Sequence, residues 1–163
     1  MRLVIQCTRD LSLTADGEDR GSFEKGLLVL VGIKNTDTSE ICMKMAQKLS
    51  RLRIICDKND KMNLSVTNTD IPHQLAVVSN FTLYANCNKS RRPDFQQSAS
   101  FTEAKKLYDT FLGYLTLSLK DTVEAEGGRI PETITGVFGA DMNISFTATG
   151  PITVILDSDQ ADF

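Results

Sequence analysis

Apolar and β-branched residues dominate Arg2 to Arg9, which predicts a strand. Leu11 to Ala15 predicts a second, shorter strand ahead of the polar turn Asp16-Gly17-Glu18-Asp19. Leu27-Leu28-Val29-Leu30-Val31 is apolar at every position, the pattern of a central strand covered on both faces. The period then changes. Ile41, Met45, Leu49 and Leu52 recur at helical spacing and predict a helix from Asp37 to about Leu52, with Asp37 and Glu40 as a capping box. Arg53–Cys56 and Met62–Val66 flank the turn Lys58-Asn59-Asp60-Lys61 and read as a hairpin. Leu75-Ala76-Val77-Val78 reads as another buried strand. A second helix begins at the capping box of Ser100 and Glu103 and carries Leu107, Phe111, Leu115 and Leu119 as one stripe, up to Gly127-Gly128. Thr133–Phe138, Asn143–Ala148 and Ile152–Leu156 complete the chain as strands. The expected fold is therefore α/β: one domain over residues 1–163, mixed sheets, and two main helices packed on one side.

Two places break the apolar pattern. The strand ending at Val78 turns abruptly polar in Ser79-Asn80-Phe81-Thr82. Buried polar groups require partners and tend to stand at strand ends beside clefts. These residues either bind a small polar ligand or satisfy neighbouring backbone groups, and the pattern leaves both open. The second break is Thr149-Gly150-Pro151-Ile152. It is either a tight turn between two strands or the site of a cis peptide bond.

Composition narrows the chemistry. The chain has 163 residues, a net charge of -3, 41% hydrophobic and 24% charged residues, enough for a hydrophobic core. Its longest apolar stretch, Leu27 to Ile33, is far too short to span a bilayer. The one histidine, His73, follows Ile71-Pro72 and reads as a surface-loop residue, so zinc sites built on two or three histidines are excluded within one chain. Cys7, Cys42, Cys56 and Cys87 form no CxxC pair. Met1 runs directly into Arg2-Leu3-Val4-Ile5 with no signal-like leader, so the thiols are expected to be free in the cytosol. Acidic overall charge gives no long-range attraction for nucleic acid. Any such contact must be local, and Lys89-Ser90-Arg91-Arg92 is the cationic run that could supply it.

Taken in order, Lys25-Gly26-Leu27-Leu28-Val29-Leu30-Val31-Gly32, Lys61 to Val66, Ser79 to Tyr84, Arg91-Arg92-Pro93-Asp94-Phe95, Phe138 to Met142 and Gly150-Pro151-Ile152-Thr153 resemble the D-aminoacyl-tRNA deacylase family over nearly the whole chain. The resemblance implies a homodimer that hydrolyses the ester between a D-amino acid and the terminal adenosine of tRNA, and that can accept glycine. It implies an active site at the subunit interface and neither metal nor other cofactor. Gly150 and Pro151, joined by a cis bond, would reach into the partner's pocket, where rigid backbone excludes an L side chain. Phe81 and Thr82 would be the catalytic positions, through backbone amides facing the oxyanion, with water attack assisted by the substrate's own 2′-hydroxyl. Ser79, Asn80, Phe138 and Met142 would bind the substrate, and Lys89, Arg91 and Arg92 would meet tRNA phosphates. The chain departs from the family pattern at Cys7, usually arginine, at Asn80, usually glutamine, and at Ala148, usually asparagine. Those departures admit an alternative: a weakened or inactive member that binds tRNA or DNA.

Overall fold

The computed structural model describes residues 1–88 and 91–160. Its first unit is a long hairpin, β1 (Arg2–Ala15) and β2 (Glu18–Gly32), paired antiparallel. Asp16 and Gly17 close it, both at positive φ (50° and 82°), as a tight turn between twisted strands demands. The two strands expected before the turn are one. Asp10 adopts a φ of 51° within it, so the chain bends without leaving the ladder. β2 also begins well before Leu27; its first half, Glu18 to Lys25, is polar apart from the buried Phe23 and carried no strand-like alternation.

α1 (Ser39–Ser50) follows, capped by Thr38, whose hydroxyl accepts from the Ile41 amide at 3.3 Å. Asp37 is therefore not the cap. Its carboxylate instead takes the Met1 amine and the Lys34 amide, tying the chain start to the end of β2. A small hairpin, β3 (Ile55–Cys56) and β4 (Met62–Leu64), precedes β5 (Gln74–Ser79). A single 3₁₀ turn spans Phe81–Tyr84. α2 (Phe101–Glu126) starts at Ser100, whose hydroxyl accepts from the Glu103 amide as expected. β6 (Thr133–Thr135) stops before Phe138, where the chain turns. The two strands expected at the end are also one, β7 (Met142–Asp157), with cis Gly150–Pro151 inside it.

The main sheet runs β6-β5-β2-β1-β7, parallel at β2/β5 and β5/β6 and antiparallel elsewhere. Alternation along the central strands explains why the sheet is covered on both faces. Leu27, Val29, Val31, Leu75 and Val77 face the main core with Met45, Leu49, Phe111 and Leu115 of the two helices. Leu28, Ala76 and Val78 face the other way and join Leu11, Leu13 and Phe23 in a second cluster. Both helices thus lie on one side, as the periodicity predicts. β7 is left as an unpaired edge, with Ile155 61% exposed. Among the described residues no helix is long and apolar enough to cross a membrane.

Candidate active site

β5 ends where the polar residues begin, and its backbone is held from two directions. The buried Tyr108 hydroxyl donates to the Val77 carbonyl at 2.9 Å, and the Gly136 amide donates to the same oxygen at 3.1 Å. The Asn80 amide donates to Val31 O at 2.8 Å. Gly32 permits the close approach of the 3₁₀ turn, since a Cβ there would stand 2.9 Å from Leu83 Cβ. Asn80 then caps the turn. Its Oδ1 accepts from the Thr82 amide at 3.1 Å and from the Thr82 hydroxyl at 2.5 Å.

Above this strand end lies a cleft of about 530 Å³. Ser79, Asn80, Phe81, Phe138 and Met142 all line it, so five of the sequence-selected positions converge. Phe81 is 59% exposed and meets Phe95 edge-on, with ring centroids 5.0 Å apart. Phe138 packs edge-on against Phe101, with centroids 5.2 Å apart, and tilted against Tyr108 at 5.7 Å, so it serves the core and the cleft wall together. Gly139, at φ 82°, leaves room for the Phe101 ring, which a Cβ would approach to 2.7 Å.

The chemistry is set by which donors remain. The Thr82 amide is occupied by Asn80, so it is not an oxyanion donor in this geometry. The Phe81 amide, first in the turn, has no acceptor among the described residues, and neither does the Ser79 hydroxyl. Thr82 gives its hydroxyl proton to Asn80 and keeps its lone pairs for incoming donors. Thr82 stands beside the cleft rather than in its lining, and among the described residues no imidazole or carboxylate lines the cleft to activate a nucleophile.

The structure does not bring Gly150 and Pro151 into this cleft. Gly150 lines a separate cavity of about 560 Å³, together with Cys7, Cys56 and Ile152. The β1–β7 register accounts for its position: Gln6 pairs with Thr153 and Thr8 with Ala148, leaving residues 149–152 bulged opposite Cys7. Cys7 is buried there, its thiol 3.6 Å from Ile54 O, and burial pushes its pKa up to about 11. Arg91 and Arg92 are exposed in the loop leading to Phe95, whereas Lys89 lies outside the described residues. Sequence reasoning missed Ser98, which donates to Phe81 O at 3.0 Å and straps the loop over the cleft. No local pattern marks it, because its role depends on a contact 17 residues away.

The chain as a whole is similar to known proteins. The family described as D-Tyr-tRNA(Tyr) deacylase matches residues 4–157. D-aminoacyl-tRNA deacylases of Clostridium beijerinckii and Halothermothrix orenii are 42% and 41% identical. The first match covers 97% of each chain, the second 98% of this chain and 99% of that one. A solved c-Myc DNA unwinding element binding protein has a TM-score of 0.80 at 30% identity, over 97% of this chain and 99% of that one. A probable eukaryotic D-amino acid tRNA deacylase shares the fold, with a TM-score of 0.75 at 18% identity over 95% and 97% of the chains. The chain belongs to the D-Tyr-tRNA(Tyr) deacylase family, and its activity is hydrolysis of the ester of D-aminoacyl-tRNA.

Proposed function

We propose that the cleft at the end of β5 holds the terminal adenosine and the aminoacyl ester, and that a second copy of the chain completes it. Water adds to the ester carbonyl, helped by the substrate's neighbouring 2′-hydroxyl. The bond to the ribose oxygen breaks, that oxygen takes a proton, and free D-amino acid and tRNA leave. The Phe81 amide stabilises the developing oxyanion. The Ser79 hydroxyl and the lone pairs of Thr82 position the substrate, with Asn80 acting through Thr82. Phe138 and Met142 pack against the adenine.

Gly150 and Pro151 of the second copy enter the cleft and fill the space an L side chain would need. D side chains and glycine are then accepted. Arg91 and Arg92, with Lys89, contact phosphates beside the cleft. The enzyme works in the cytoplasm as a homodimer, a single deacylase domain along its length.

One observation carries this reading. Five selected residues share one cleft, while Gly150 sits on an unpaired edge strand, exposed, at a different cavity. A homodimer is the simplest way to unite them. The departures at Cys7 and Asn80 are accommodated, one under the β7 bulge and one as a cap, so the inactive alternative gains no support from the geometry. The test is paired deacylation of D- and L-tyrosyl-tRNA by purified protein. Release of D-tyrosine with the L ester spared is expected; equal release of both, or none at high enzyme concentration, sinks the reading.

A further inference from the structure

Arg9 and Lys25 stand directly opposite each other across the β1–β2 ladder. Side chains paired in this way share one face, and like charges so placed destabilise a sheet. Little within the chain relieves them. Arg9 has an exposed ion pair at 3.7 Å with its own neighbour Asp10, a loose contact of small worth. Lys25 is half-buried, and its amine has no ion pair or hydrogen bond among the described residues.

Both side chains line the 560 Å³ cavity beside Gly150, and Lys58 and His73 line it too. His73 donates from Nδ1 to Ile71 O at 2.8 Å, which leaves Nε2 for another partner. Two carboxylates share the lining, Asp57 and Asp70. Asp57 is turned onto its own loop, where the Asn59 and Lys61 amides hold it below the usual carboxylate range. The lining holds three full cations, Arg9, Lys25 and Lys58, against two carboxylates, and an anion between Arg9 and Lys25 would remove their repulsion.

We propose that this cavity is a phosphodiester subsite for the 3′ strand of the substrate tRNA, just before its terminal adenosine. The proposal rests on the reading that Gly150 and Pro151 act in the cleft of a second copy. The cavity shares the β7 bulge with them, so it flanks the ester wherever that bulge is inserted.

The test compares D-tyrosyl-tRNA with 3′-D-tyrosyl-adenosine, which carries no phosphate. Lys25→Glu and, in the exposed turn, Lys58→Glu are each expected to raise KM for the tRNA about fivefold, leaving kcat unchanged. Each should also lower the salt dependence of KM by about one ionic contact. Lys25→Arg should retain wild-type KM. Lys120→Glu, a matched charge reversal on the exposed face of α2, should not move it. KM for the adenosine ester should stay at the wild-type value in both cavity variants. Equal changes with both substrates, or none with either, overturn the subsite. Relief of inhibition by inorganic phosphate with unchanged KM assigns the cavity to a free anion and also overturns it. Sedimentation separates the two levels: a monomeric wild-type enzyme defeats the underlying two-copy reading, whereas a dimer with phosphate-blind variants defeats the subsite alone.

Discussion

Asn80 Oδ1 accepts from both the amide and the hydroxyl of Thr82. Removing that oxygen frees two donors at once and uncaps the 3₁₀ turn that presents the Phe81 amide. Asn80→Ala is expected to cost about 1 kcal/mol of stability, the usual worth of a cap, read from the urea midpoint. It should lower kcat for D-tyrosyl-tRNA at least tenfold with little change in KM, because the turn positions the reacting groups. Unchanged kcat would remove Asn80 from the machinery. A second residue links the chain ends to the medium. Asp157 is almost fully buried, which alone would favour its neutral form. Bonds from Arg2, at 2.6 and 2.8 Å, and from the Asp159 amide outweigh that and hold its pKa below the usual range. A carboxyl lowered on folding contributes stability above its unfolded value of about 3.9 and loses it as pH falls further. Asp157→Asn is expected to cost about 2 kcal/mol at neutral pH. In urea titrations the gap from wild type should close as pH drops below about 4.

At the scale of elements, the two strong helical stripes and the two-sided strand Leu27–Val31 were legible because their periods are long and unbroken. Legibility failed where an element's order comes from a partner. Glu18 to Lys25 is a strand only because β1 pairs with it. Asp10 looked like a break because it is polar, yet positive φ let the ladder continue. Asp37 satisfied the capping-box pattern, but the Met1 amine, distant in sequence, claims its carboxylate and leaves Thr38 to cap. β7 illustrates the same limit, since Gly150–Pro151 punctuates the sequence without ending the strand. A 16-residue edge with an exposed Ile155 is a surface prepared for pairing. Ile155→Lys is expected to leave the fold intact, as that side chain is largely solvated, and to convert a dimer to monomer in sedimentation. Retained dimer would place the interface elsewhere.

For the whole molecule, Ser79 and Asn80 of the cleft lining stood out in the sequence as polar intrusions at the end of a buried strand. Their separation from Gly150 was not, because it depends on which edge of the sheet β7 occupies. Ser98, Arg9 and Lys25 were invisible for a similar reason: each acquires its role from a residue brought alongside only by folding.

The cleft and the Gly150 bulge occupy different places on one chain, so the proposed two-copy site predicts that two defective chains repair each other. Gly150 has a φ of 105°, and a Cβ there would meet Ile152 at 2.6 Å, so Gly150→Ala should spoil the bulge while leaving its own cleft whole. Asn80→Ala spoils the cleft and keeps the bulge. Unfolded and refolded together, the inactive pair should regain about one quarter of wild-type turnover, since half of the random dimers would hold one sound site out of two. Mutational damage in this enzyme would then show complementation between alleles, a property of the pair of chains that neither chain possesses by itself.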